Sequence, residues 1–166
     1  METDKAISKI LQGFQPACVV ITANELKIFD KLKQSVTANH VAENCDLDPE
    51  ATERLLNALT SLEIVTKEND KYHLPQAAQS YLVTGGSKSM QQWIQFSADL
   101  YPVWGQLATF IKSGILIKSI MEMLGGDPHK MRAFTDAMHD KALKATWMIA
   151  REIPIGDAKN MLDVGG

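Results

Sequence analysis

DPEATERLLNALTSLEIVTKENDKYHLP, residues 48–75, holds a helix start, a helix and a change of period within 28 residues, and its reading decides the fold. Asp48 accepts from free helix-end amides, and Pro49 fits the first turn, where no amide partner is lost. Together they predict a helix from there to about Leu62, with Ala51, Leu55, Ala58 and Leu62 as its apolar face at steps of 4, 3 and 4. Beyond it the period falls to two. Val65–Glu68 and Lys71–Leu74 read as short strands around Asn69-Asp70, residue types that tolerate left-handed backbone, and Pro75 ends the hairpin.

Working backward from Asp48, Thr37 is placed to cap a short helix through Ala42. A longer helix is expected over about Pro16–Leu32, with Ala17, Ile21, Ile28 and Leu32 on one stripe. Helix, helix, short helix, helix and hairpin is the order of a winged helix-turn-helix. Working forward, Gly85-Gly86 marks a break, since only Gly13 of the ten glycines precedes it. A long helix comes next, with a seam of Met90, Trp93, Ser97, Leu100, Trp104, Leu107 and Ile111, and Pro102 should kink it near Asp99 or split it. A shorter amphipathic piece spans about Ile115–Leu124. Asp127-Pro128 repeats the cap-plus-proline signal and opens a helix to about Arg151, along which Met131, Phe134, Met138, Ala142, Ala145 and Ile149 form a stripe. The final Met161-Leu162-Asp163-Val164-Gly165-Gly166 reads as a strand entering a glycine turn.

Composition narrows the function. The 166 residues are 45% hydrophobic and 22% charged, which is ordinary for a folded soluble domain and excludes disorder. Net charge is -3, and the acidic excess lies in the front half, where residues 1–84 hold 8 basic and 12 acidic side chains. A DNA reader needs a positive recognition helix. Residues 46–63 instead carry Asp46, Asp48, Glu50, Glu53 and Glu63 against Arg54, so a winged-helix regulator is the weaker alternative and no nucleic-acid partner is expected. No apolar run is expected to approach the ~18 residues of a membrane span, and Met1-Glu2-Thr3-Asp4 lacks a signal-peptide layout, so no membrane partner and a cytoplasmic location are expected. Cys18 and Cys45 have no metal or redox spacing and read as free thiols. His40, His73, His129 and His139 show no metal-ligand context, so no metal is expected.

These pieces in this order resemble the S-adenosylmethionine-dependent O-methyltransferases of the plant and acetylserotonin type, including bacterial relatives. The resemblance rests on the winged-helix segment through Tyr72-His73-Leu74, Trp104-x-x-Leu107 with Gly114, Phe134-x-x-x-Met138, and Leu162-Asp163-Val164-Gly165-Gly166, which looks like the opening of the family's cofactor loop. It implies a mainly α fold: a winged-helix-like dimerisation domain with a small β-hairpin over residues 1–84, helices contributing to the substrate pocket over 85–158, and the first strand of a truncated Rossmann-like methyltransferase domain over 159–166. It further implies a homodimer acting with S-adenosyl-L-methionine on a small hydroxylated, aromatic acceptor. Phe134 and Met138 would line the acceptor pocket, and Asp163, Gly165 and Gly166 would meet the cofactor. No histidine here matches the family's catalytic base, which is expected beyond Gly166, so these residues are read as an amino-terminal portion, inactive alone and binding the cofactor weakly or not at all. A stand-alone dimerisation module is the remaining alternative.

Overall fold

Both capping signals predicted before and within the decisive stretch form as read. In a computed structural model that describes residues 2–115, 122, 125–153, 156, 158–160 and 162, α1 (Glu2–Gln12) and α2 (Phe14–Glu25) are succeeded by α3 (Ile28–Lys31), β1 (Val36–Thr37), α4 (Ala38–Cys45), α5 (Pro49–Ser61), β2 (Thr66–Glu68) and β3 (Lys71–His73). The His40 amide donates to Thr37 Oγ1 at 3.3 Å and opens α4. The Ala51 amide donates to Asp48 Oδ1 at 2.8 Å and opens α5, each supplying one of the amides that a helix start leaves without a partner. The hairpin pairs antiparallel with Lys67 opposite Tyr72, and Asn69 takes the left-handed turn conformation at φ 54°. The chain continues as α6 (Gln76–Leu82), α7 (Gln91–Trp104), α8 (Leu107–Ser113) and α9 (Pro128–Glu152).

The sheet holds a third strand that the sequence pattern does not announce. β1 pairs antiparallel with β3, Val36 opposite Tyr72, in the order β1-β3-β2. Tyr72 is thereby central and wholly buried, beside Phe29, Ile28, Leu32, Leu56, Leu59, Leu74 and Val41. Its hydroxyl donates to Asn57 Oδ1 at 2.9 Å, which satisfies the polar end of a buried ring. Lys67 Nζ donates to the same oxygen at 3.0 Å and stands 4.8 Å from the Tyr72 ring centroid and 3.6 Å from Glu53 Oε1. The Tyr72 hydroxyl and the Glu53 carboxylate hold the Lys67 ammonium above its usual range.

Two helix readings are corrected, and a third is borne out in one of its two forms. The helix expected over Pro16–Leu32 is two: the Leu26 amide closes α2 on Thr22 O at 3.0 Å, and Lys27 turns left-handed at φ 54°. That turn swings Ile28, Phe29 and Leu32 into the core, while Ala17 stays exposed. On α5 the buried positions are Thr52, Leu56 and Leu59, not the Ala51 stripe, a rotation of one residue. Thr52 is tolerated there because its hydroxyl donates to Asp48 O at 2.7 Å. The long seam helix is split, as Pro102 suggested, but at Gly105-Gln106 rather than near Asp99. A proline removes the bond to the carbonyl four residues earlier, and α7 survives it because Pro102 lies in its last turn. Most of the Ile115–Leu124 piece lies outside the described residues.

α2 is the element on which the rest assembles, for it packs against α1, α3, α5 and α7, and α7 in turn packs against α9. Where α7 meets α2, the thiol of Cys18 beside Tyr101 pushes its phenol above the ordinary range.

Candidate functional site

Every described residue of 3–17 is exposed. Ile7, Ile10, Leu11 and Phe14 nevertheless share one helical face at steps of 3, 1 and 3, with Ile10 77% and Leu11 66% exposed. A second apolar surface lies along α7 and α8, where Trp104 is 69% and Ile111 72% exposed, and Tyr101 and Leu107 accompany them. These four belong to the expected seam or its flank, yet their own chain does not cover them. Isolated apolar side chains on a surface are ordinary, but rows of this size mark an interaction site. At about 1.5–3 kcal/mol per fully buried side chain, the four on α1 and α2 offer roughly 6–12 kcal/mol per copy. That is comparable to an association cost of about 4–15 kcal/mol, so two copies contributing two such rows have enough.

The α1 row is legible in the sequence as an i, i+3, i+4, i+7 pattern; the expected order counts a helix before Pro16 but assigns it no apolar face. Within Thr3–Glu25, which spans α1 and α2, an 18-residue window reaches a mean hydropathy of 1.2, long and apolar enough by composition to cross a membrane. The expectation of no such run is corrected to that extent. Lys9, Gln12 and Gln15 interrupt its apolar character, and 6% of that window is buried.

The other candidate region is where α7 crosses α9. Phe96, buried on α7, has its ring centroid 5.1 Å from that of Phe134 on α9 and 5.8 Å from Trp93, both tilted contacts of the favourable kind. Phe134 and Met138 are half-buried, with Ala137 fully buried between them. The two residues singled out in sequence are therefore brought to one face, and Phe96 and Ile94, absent from the expected seam, are the α7 positions that bury. Among the described side chains the α9 stripe is covered only near its start: Ala142 and Ile149 are exposed, and the Ala145 side chain lies outside the described residues.

Asp163, Gly165 and Gly166 also lie outside the described residues. Among those described, no group of three or more His, Cys, Asp or Glu side chains could hold a metal. His73 lies on β3 with Nδ1 buried, and His139 is exposed on α9. Cys18 and Cys45 are free thiols.

Residues 8–84 match the family model of the O-methyltransferase dimerisation domain. The S-adenosyl-L-methionine-dependent methyl transferase PigF of Serratia sp. (strain ATCC 39006) is 34% identical over 108 residues, covering 62% of this chain and 30% of the relative. Acetylserotonin O-methyltransferase of Rattus norvegicus is 28% identical over 113 residues, covering 66% and 26%. The chain thus spans about a third or less of the length of the curated relatives it matches. Among solved structures, PigF with SAH superposes at TM-score 0.79 with 24% identity, over 90% of this chain and 48% of that one. Human N-acetylserotonin methyltransferase in complex with SAM superposes at 0.72 with 19% identity, over 86% and 46%; both likenesses speak to the fold. Residues 8–84 thus match the O-methyltransferase dimerisation domain, and the chain is similar over that part to S-adenosyl-L-methionine-dependent methyltransferases.

Proposed function

We propose that this chain is the dimer-forming and acceptor-binding portion of an S-adenosylmethionine-dependent O-methyltransferase that works as a homodimer on a small hydroxylated, aromatic acceptor. The observation that carries the proposal is the coincidence of residues 8–84, matched to a dimerisation domain, with the uncovered row Ile10, Leu11 and Phe14. The winged-helix-like order of α3, α4, α5 and the hairpin serves here as a packing unit. The face that a DNA reader would present carries Glu50 and Glu53, and Arg54 is paired with Glu50, so its one positive charge is already neutralised.

In this reading the cofactor supplies the methyl group, and its contacts are assigned to Asp163, Gly165 and Gly166. Phe134 and Met138 orient the acceptor: an aromatic face and a polarisable thioether hold a planar ring without asking for a hydrogen bond. Holding the acceptor in a near-attack geometry turns a two-body encounter into one complex, which is the larger part of what such a pocket contributes. The domain division at residues 84 and 158 belongs to the same proposal. A nitrogen acceptor is the second reading, favoured by the 28% identity over 112 residues to the N,N-dimethyltransferase OxyT of Streptomyces rimosus.

Sedimentation equilibrium of the 166-residue chain tests the dimer. A species of twice 18.4 kDa at tens of micromolar is expected, and only the 18.4 kDa species would overturn it. In the full-length enzyme, Phe134→Ala and Met138→Ala should raise KM for the acceptor and leave cofactor affinity unchanged. Unchanged acceptor kinetics would remove both residues from the pocket.

A further inference from the structure

Gly85-Gly86 reads in sequence as a break between two parts of the chain, but the backbone around it is bonded on both sides. A helix ends with four carbonyls that it cannot satisfy itself. At the end of α6 all four find donors farther along the chain: Gln79 O accepts from the Val83 amide at 3.1 Å, Ser80 O from the Lys88 amide at 3.0 Å, and Tyr81 O from the Met90 amide at 2.7 Å. Leu82 O accepts from Gln91 Nε2 at 3.0 Å, already on the first residue of α7. From the opposite side, Asp30 on α3 takes the Thr84 amide on Oδ1 at 2.9 Å and the Thr84 hydroxyl on Oδ2 at 2.7 Å. Gln91 Nε2 also lies 3.5 Å from Thr84 Oγ1, which closes a chain of contacts from α3 to α7.

The glycines serve this closure. Gly85 sits at φ 78°, a conformation that side chains rarely adopt. A Cβ at Gly86 would lie 2.4 Å from Ser80 O and 3.0 Å from Val83 O, backbone atoms that have no flexible end to yield. Glycine is needed there so that the chain can turn back close against α6.

We propose that residues 83–91 are a locked joint, in which the Asp30–Thr84–Gln91 chain and the α6 carbonyls make the dimerisation domain and α7 a single rigid body. The direction of α7, and with it the place of Phe96, is then fixed at its start by α3 and α6, in addition to its packing on α2, and not left to a flexible linker. That Phe96 in turn positions an acceptor-binding Phe134 rests on the proposed acceptor pocket; the lock does not.

Hydrogen exchange and tryptic cleavage at Lys88, measured on the 166-residue chain, test the joint. The Thr84, Lys88 and Met90 amides should be protected to within about tenfold of the α6 amides, and Asp30→Ala should speed exchange at Thr84 and cleavage at Lys88 at least tenfold. Gly86→Ala should do the same through the close approach to Ser80. Thr84→Val, which keeps the amide–carboxylate bond and loses the hydroxyl, should give a smaller increase and guards against a variant that fails to fold. Wild-type Lys88 and Met90 amides exchanging at open-loop rates, or Asp30→Ala leaving both rates unchanged, would overturn the joint. Failure of the acceptor reading would leave this exchange pattern untouched, so the two outcomes are separable.

Discussion

The region from α3 through β3 and the apolar rows on α1 and along α7 and α8 are both rich in large apolar residues and treat them in opposite ways. In the first, Phe29, Leu56 and Leu74 are wholly buried by their own chain. In the second, Ile10, Trp104 and Ile111 stand in solvent, each more than two-thirds exposed. Apolar periodicity therefore says that a face wants covering, and says nothing about which chain covers it. The closed region has three polar devices to finish its edges: the two helix caps, the Asn57–Tyr72–Lys67 cluster, and the Asp30–Thr84 clasp. The open rows carry bare side chains.

The sharpest way to break this comparison is to remove one residue from each side. Phe29→Ala should destabilise the chain by about 3–5 kcal/mol, because removing a wholly buried ring from α3, which packs against α2, α4 and α6, leaves a cavity in the core. A urea midpoint unchanged within error would show that the core is misplaced. Next in size, Ile10→Asp should leave the unfolding of the isolated chain within about 0.5 kcal/mol of wild type, as surface changes usually do. It should weaken dimerisation a hundredfold or more, about 2.7 kcal/mol, read by sedimentation over a concentration series. A variant that associates as wild type would locate the interface elsewhere.

Acid sharpens the comparison from the polar side. Burial pushes the Asp30 carboxyl up, but the two Thr84 hydrogen bonds and Lys33, 3.6 Å away, outweigh it and hold the group below its ordinary 3.8. A carboxylate with a depressed folded value stabilises the fold fully above the unfolded value and loses that contribution as pH falls through the folded one. The urea midpoint should therefore drop as pH is lowered below about 3.8, and Asp30→Asn should flatten that part of the profile. A variant profile parallel to wild type would mean that the clasp carries no charge-dependent stability. The smallest effect expected is a gain. Glu63 ends α5 in the left-handed region at φ 60°, so Glu63→Gly should raise stability by about 0.5–1 kcal/mol, visible as a higher midpoint.

The legibility of each element in the sequence depends on how local its signal is. Thr37, Asp48-Pro49 and Asn69 act within four residues of themselves, and each is found where the sequence placed it. The stripe on α5 is off by one position because Thr52 looks polar until its hydroxyl is seen bonding back to Asp48 O. The two-residue strand β1 exists only because β3 comes to lie beside it, and two residues carry no period. The division of α2 from α3 has no glycine or proline to announce it; the core's claim on Phe29 and Ile28 overrides local helical preference at Lys27. At the candidate pocket, Phe134 and Met138 are visible as a spacing. The support of Phe134 by Phe96 is not, because the steps along the α7 seam pass from Trp93 to Ser97. Gly85-Gly86 illustrates the reverse error, where residues that license flexibility in a free chain were needed for tightness.

The 25-residue α9 has a mechanical consequence. It is gripped near its first turns, at Phe134 and Ala137, while Met148 and Ile149 near its far end are exposed. At about 1.5 Å of rise per residue, the length from Phe134 to the end is roughly 27 Å, and a tilt of about 5° at the grip sweeps the tip through about 2 Å. α9 is thus a cantilever held at the aromatic contact, and a small change of angle there becomes a displacement of atomic size at its far end.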